Sequence, residues 1–281
     1  MKLERIGFAY NPTNPAAVEL RDRAGAWCKL RDLAWWSSEA GSYDEVVAEL
    51  PRTDVLVVLG GDGTFLRAAR AVAEVDVPML GVNLGKVGFL SKVEAHELEA
   101  VLAQVAAGEY RLDERMLVEA RIKPAGSTIE GERFVALNEV VVARGELARV
   151  VRLDVAVGPS HVATFIADGL VVSTPTGSTG YSFSAGGPIV DPLSRNLIVT
   201  PIAAYLAAIR SVVVGPKQVV RVRVVDAKEA LVSVDGREDR HLRVGDVVEV
   251  RALDAPIRLI EPKGAQPFWD LLRHKVELLP S

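Results

Sequence analysis

Hydrophobic positions follow two different rhythms along the chain. Up to about residue 110, short runs that are apolar at every position alternate with longer stretches whose apolar residues recur at helical spacing. Arg5 to Tyr10 predicts a strand, and Pro15 to about Leu30 a helix with proline in its first turn. Tyr43 to Leu50 predicts a short helix. Asp54 to Leu59, apolar on both faces through Val55, Leu56, Val57 and Val58, predicts a buried strand of parallel type. Thr64 to about Glu74 predicts a helix with Phe65, Leu66, Ala69 and Val72 on one face, and Val77 to Val82 another buried strand. Residues 91–108 predict a helix that opens on Ser91 and Glu94, spaced as a capping box, and stops at Gly108. This alternation predicts a mostly parallel sheet with helices on both faces.

From about Arg111 valines alternate with polar residues, over 151–158, 219–226, 230–236 and 246–253. Turn signals separate these runs at 124–127, 235–239 and 243–246. Short strands between turns predict an all-β second domain, a β-sandwich or a barrel-like relative of one. Residues 267–279 read as helix again. The expected organisation is a Rossmann-like α/β domain over 1–110, rejoined by a returning helix within 266–281, and a β-sandwich over 111–265.

Composition narrows the partners. A chain of 281 residues can fill two cores, and 49% hydrophobic with 25% charged residues is ordinary for a globular protein. Lys and Arg number 33 against 37 Asp and Glu, a net charge of −4, so neither nucleic acid nor an anionic membrane is expected as partner. No apolar leader opens the chain and no apolar run approaches the roughly 18 residues of a membrane span. Cys28 is the only cysteine, which excludes an intrachain disulfide and suits a reducing, cytoplasmic setting. His96, His161, His241 and His274 form no local signature; H-E-x-x-H, C-x-x-C and G-x-S-x-G are absent. Neither a His/Cys metal site nor a serine nucleophile is expected.

The candidate chemistry begins at Gly60-Gly61-Asp62-Gly63-Thr64, between a predicted strand and a predicted helix. Open α/β sheets bind ligands at that edge. Glycines let backbone N–H groups approach an anion closely, and the helix start adds the positive end of its dipole. The lack of Gly-Lys-Ser/Thr excludes a Walker A loop. Asp62 repels phosphate, so its place is that of a base accepting a hydroxyl proton, a Mg²⁺ ligand, or a cap on the helix. A second glycine loop, residues 81–90, follows the next strand and carries Lys86 where it could approach phosphate. Asn138 and Glu139 stand at the start of an apolar strand, where an amide and a carboxylate can read a base edge or ribose hydroxyls. Residues 173–184 hold eight hydroxyl side chains, framed by apolar runs, which suits hydrogen bonding to a polar ligand such as a nucleotide. Tyr181 could stack on a base or nicotinamide ring.

Taken in order, G-G-D-G-T, G-x-N-x-G-x-x-G-F-L, N-E and the long S-T-P-T-G-S-T-x-Y-S-x-S-A-G-G-P run resemble the NAD kinase family, from about Val55 to Gly236. The first motif is shared with lipid kinases of the diacylglycerol kinase type and with phosphofructokinases. The resemblance implies an α/β domain, a β-sandwich, and NAD in the cleft, often between subunits of a homo-oligomer, dimer or tetramer. It implies phosphoryl transfer from ATP, or in some members polyphosphate, to the 2′-hydroxyl of the adenosine ribose, with Mg²⁺ or another divalent cation. Asp62 matches the proton acceptor, and Gly60, Gly61, Gly63 and Thr64 the phosphate loop. With Asp62, the residues Gly63, Arg67, Asn138, Glu139, Arg149, Asp168, Thr179, Gly180, Tyr181, Ser182, Phe183 and Ser184 match NAD-contacting positions. The chain departs from the pattern at Ile166, Gly180 and Arg237, where a basic residue, Ala and Gln are common. A lipid kinase on the same loop and a non-catalytic nucleotide sensor are the competing readings. The run over 173–188 disfavours the lipid kinase, and the carboxylate beside phosphate disfavours the sensor.

Overall fold

The apolar runs of the first third pair with one another in parallel. Arg5–Tyr10 lies between Ala34–Glu39 and Val55–Leu59, and Met79–Asn83 extends the sheet on the far side of Val55–Leu59. The full order is Ala34–Glu39, Arg5–Tyr10, Val55–Leu59, Met79–Asn83, Ile257–Pro262, Tyr110–Arg115, with Val93–Glu94 paired to Met79–Asn83 off this path. Val55–Leu59 is buried at every position, as a strand covered on both faces must be. Ile6, Phe8, Val57 and Leu80 share a core with Leu20 and Trp27 of helix Pro15–Lys29 and with Leu98 and Leu102 of helix Leu98–Ala107. This computed structural model describes residues 3–85, 87–127, 131–146, 149–205 and 209–277. It divides into two units, Met1–Glu114 with Ile257–Ser281, and Arg115–Pro256.

Four details of the first unit differ from the sequence expectation. Ala34–Glu39 is a strand that the hydrophobic pattern does not announce, because only Ala34, Trp35 and Trp36 in it are apolar. The helix after the glycine loop starts at Asp62 rather than Thr64. The capping box lies at Glu94 and Glu97, not at Ser91 and Glu94; it opens the 3₁₀ turn Ala95–Glu97 that leads into Leu98–Ala107. The Ser91 backbone N–H is engaged elsewhere, and Val93–Glu94 is drawn into the sheet. Gly108 does end the helix, in the left-handed conformation at φ 75°. The returning segment brings a strand as well as a helix: Ile257–Pro262 pairs in parallel with Met79, and Phe268 of helix Phe268–Glu277 packs against Phe89 at 5.6 Å between ring centroids.

The second unit is two six-stranded antiparallel sheets. One runs Ser160–Ala167, Val151–Val157, Val219–Asp226, Val247–Ala252, Val118–Lys123, Glu132–Ala136; the other runs Val212–Val214, Leu197–Ile202, Gly169–Ser173, Glu139–Arg144, Ala230–Val234, Arg237–Leu242. Their inner faces share one core. Leu153, Val155, Val220, Val222 and Val250 from one sheet meet Val140, Val142, Leu170 and Val199 from the other. Arg152, between the buried Val151 and Leu153, is exposed, as the two-residue period of a half-buried strand requires. Residues 237–239, read from sequence as part of a turn, are strand. Among the described residues no helix is long and apolar enough to cross a membrane.

Candidate active site

The glycine loop of the first unit leaves a helix start without a side-chain cap. Gly61 occupies the cap position, and among the described residues no side chain caps the start of Asp62–Val72. Space is open around Gly61 and Gly63. An uncapped helix start of this kind is an anion site. Thr64 is buried, and its hydroxyl accepts a hydrogen bond from Arg67 Nη2 at 3.2 Å.

Asp62 does not cap its helix. Its carboxylate reaches the second glycine loop, where Oδ2 accepts the Phe89 N–H at 2.9 Å and Oδ1 accepts those of Leu90 and Ser91 at 3.0 and 3.1 Å. The two loops approach so closely that a Cβ on Gly88 would land on the Asp62 carboxylate. The second loop therefore grips the carboxylate of the first. Lys86 lies outside the described residues.

In the second unit, Asn138 and Glu139 open the strand Glu139–Arg144, and two structures hold them. From one side, Thr174 Oγ1 donates to Leu137 O at 2.6 Å and the Thr174 N–H to Asn138 O at 2.8 Å. From the other, the Asp235 carboxylate accepts the N–H groups of Leu137, Asn138 and Glu139 at 2.9, 2.8 and 3.0 Å. Burial, and after it the charge of Asp235, push the Glu139 carboxyl up to about 8.

Much of the hydroxyl-rich run is structural. Ser178 is fully buried and ties Pro175 O at 2.7 Å to the Val190 N–H at 3.0 Å. Ser182 is buried against Thr200, 3.4 Å between hydroxyls. Thr179 and Gly180 are half-buried, whereas Tyr181, Phe183 and Ser184 are exposed. Asp168 receives a forked pair of bonds from Arg144, Nε at 2.8 Å and Nη2 at 3.3 Å. Arg144, Asp168, Tyr181 and Ile202 line a recess of about 290 Å³, which brings two sequence candidates together. Arg149 is exposed ahead of strand Val151–Val157, and no bond joins it to the other described candidates. Sequence reasoning passed over Gly88, Asp235 and Arg144. The first two looked like ordinary turn residues, and nothing local marks the third.

Comparison with known proteins agrees in both units. Residues 6–110 match the model of the ATP-NAD kinase N-terminal domain, and residues 137–261 that of the C-terminal domain. The NAD kinase of Heliobacterium modesticaldum is 40% identical over 280 residues, covering 97% of this chain and 98% of that one. The NAD kinase of Moorella thermoacetica is 42% identical over 276 residues, 98% of this chain and 84% of the relative. Among solved structures, an NAD kinase from Archaeoglobus fulgidus in complex with ATP gives a TM-score of 0.78 at 25% identity, covering 98% of this chain and all of that one. The fold also matches yeast NADH kinase complexed with NADH, TM-score 0.86 at 23% identity over 100% of this chain and 89% of that one. With relatives of this identity aligned over nearly all of its length, the chain belongs to the NAD kinase family.

Proposed function

We propose that the chain transfers the γ-phosphoryl group of ATP to the 2′-hydroxyl of the adenosine ribose of NAD, giving NADP. The observation that carries this reading is the Asp62 carboxylate, fixed by three N–H donors at the start of an uncapped helix. Asp62 takes the proton of the attacking hydroxyl, a contribution of about 10²–10⁴-fold to the rate. In the phosphate loop the backbone N–H groups of Gly61 and Gly63 hold phosphate; those of Gly60 and Thr64, expected from the sequence to share this role, instead donate to Val82 O and Gly61 O, both at 2.9 Å. Oδ1 already accepts two bonds and Oδ2 one, so the proton goes to Oδ2, which keeps a free lone pair. Positioning and charge stabilisation supply most of the remaining catalysis.

NAD binding falls to Gly63, Arg67, Asn138, Glu139, Arg149, Asp168 and the segment Thr179 to Ser184. Within that segment the exposed Tyr181 and Ser184 offer contacts directly, whereas buried Ser182 shapes the backbone. A divalent cation, Mg²⁺ in the ordinary case, draws charge off the ATP phosphates when bound. Among the described residues no three His, Cys, Asp or Glu side chains cluster to hold an ion, which fits a cation carried mainly by phosphates and water. We also take the protein to be a cytoplasmic homo-oligomer, dimer or tetramer.

The test is substrate choice. Purified protein is given ATP and Mg²⁺ with NAD or with diacylglycerol, and NADP is read with an NADP-specific dehydrogenase. NADP formation with no phosphorylated lipid is expected. Lipid phosphorylation returns the lipid-kinase reading, and NAD binding without turnover returns the sensor.

A further inference from the structure

Asp235 has no part in the scheme above, yet it is built into the second unit with unusual care. It stands at φ 50°, a left-handed conformation that aspartate tolerates better than most side chains. Its carboxylate accepts three consecutive N–H groups, and its own N–H donates to Glu139 O at 3.0 Å. One turn is thereby tied at every residue of the segment that presents Asn138 and Glu139.

The same bonds decide where charge resides. Burial raises the Asp235 carboxyl above its ordinary value, and the three N–H donors, which an acceptor-only carboxylate satisfies best, work against that rise. Arg237 faces the turn from the following strand, and its charge works against the rise as well. Burial pushes Glu139 up too, but among the described residues no such donors work against it. It is buried, and its Oε2 has no hydrogen-bond partner among the described residues. Gly180 packs beside it, the position of a Cβ lying 3.2 Å from Oε2. Ser173, opposite in the neighbouring strand, and the Asn138 amide are uncharged. Of two close carboxyls, the one without donors keeps the proton.

We propose that Asp235 is a positioning residue of the NAD site: it fixes the Asn138–Glu139 backbone and leaves Glu139 a neutral acid that donates a hydrogen bond to an acceptor oxygen of the dinucleotide. This rests on the reading that NAD binds at Asn138–Glu139. The expected pH dependence follows from burial and the Asp235 charge, which place the loss of the Glu139 proton at about 8.

The experiment measures KM for NAD and for ATP separately from pH 6 to 9.5, in wild type, Glu139→Gln, Glu139→Ala and Asp235→Asn, with melting temperatures alongside. In wild type KM for NAD climbs above pH 8, approaching about tenfold per unit, while KM for ATP shows no matching rise. Glu139→Gln, which donates but cannot ionise, recovers NAD binding lost in Glu139→Ala and shows no alkaline rise. Asp235→Asn raises KM for NAD at least about tenfold and KM for ATP by less than about threefold. A wild-type KM for NAD that is flat through pH 8 overturns the proposal, as does Glu139→Gln no better than Glu139→Ala. So does an Asp235→Asn protein that loses thermal stability with KM for NAD unchanged. If Asp235→Asn does not fold, the two Glu139 variants decide. If wild type makes no NADP at all, the kinase reading has failed, and calorimetric NAD binding over the same pH range still tests this one.

Discussion

Asp62 opens a helix and Glu139 opens a strand, and the surroundings of the two carboxyls suit them to opposite tasks. Asp62 is gripped and aimed by the backbone of Phe89, Leu90 and Ser91; Glu139 is offered no donor at Oε2 among the described residues and keeps its proton. Asp62 is legible in the sequence, because a carboxylate inside a phosphate-type loop has few other uses. What holds it is not legible. Gly88 reads as one more turn glycine, and only the fold shows that its missing side chain makes room for the Asp62 carboxylate. Gly88→Ala is expected to push that carboxylate out of its grip and lower kcat at least about tenfold, with KM for NAD and ATP moving much less. Steady-state kinetics check this, and a Gly88→Ala enzyme with wild-type kcat would show that the grip is dispensable.

Strands of alternating valine were the clearest signal at the level of elements. Val219–Asp226 occupies the range that the pattern predicts, its valines at 220, 222 and 224 buried. Ala34–Glu39 and Arg237–Leu242 were hidden because one is polar over its second half and the other is almost wholly charged. The outer face of one sheet carries a further charged device. Glu119 on Val118–Lys123 is nearly buried and accepts bonds from Arg121 at 2.7 Å, Arg133 at 2.6 Å and Arg251 at 3.0 Å. Burial alone would raise its pKa, but the three guanidiniums hold it down at about 2. Its contribution to stability is present above the ordinary value of 4.5 and is lost as pH falls through about 2. Glu139 acts in the other sense: its folded carboxyl is raised from 4.5 to about 8, so stability falls as pH rises across that window. Glu119→Gln is expected to cost about 2 kcal/mol at pH 7, the partly exposed arginines reducing the loss below that of a fully buried pair. Urea titration of both proteins at neutral pH and again in acid, near the folded pKa, reads it. An equal loss under the two conditions would show that the charge is not what matters.

Each unit of the whole molecule carries one part of the proposed chemistry, the base and phosphate loop in the first and the Asn138–Glu139 segment in the second. The α/β-then-β order was readable because the hydrophobic period changes near residue 110. The strand Ile257–Pro262 was harder to place, since parallel pairing with Met79–Asn83 is a long-range fact that no local pattern encodes. The central claim, that Asp62 is the base of an NAD kinase, is tested most directly by the rate of NADP formation in Asp62→Asn, with NAD binding measured on the same protein. The account predicts a fall of about 10²-fold or more with NAD affinity kept within a few-fold. A variant that binds NAD and turns over at the wild-type rate would contradict it.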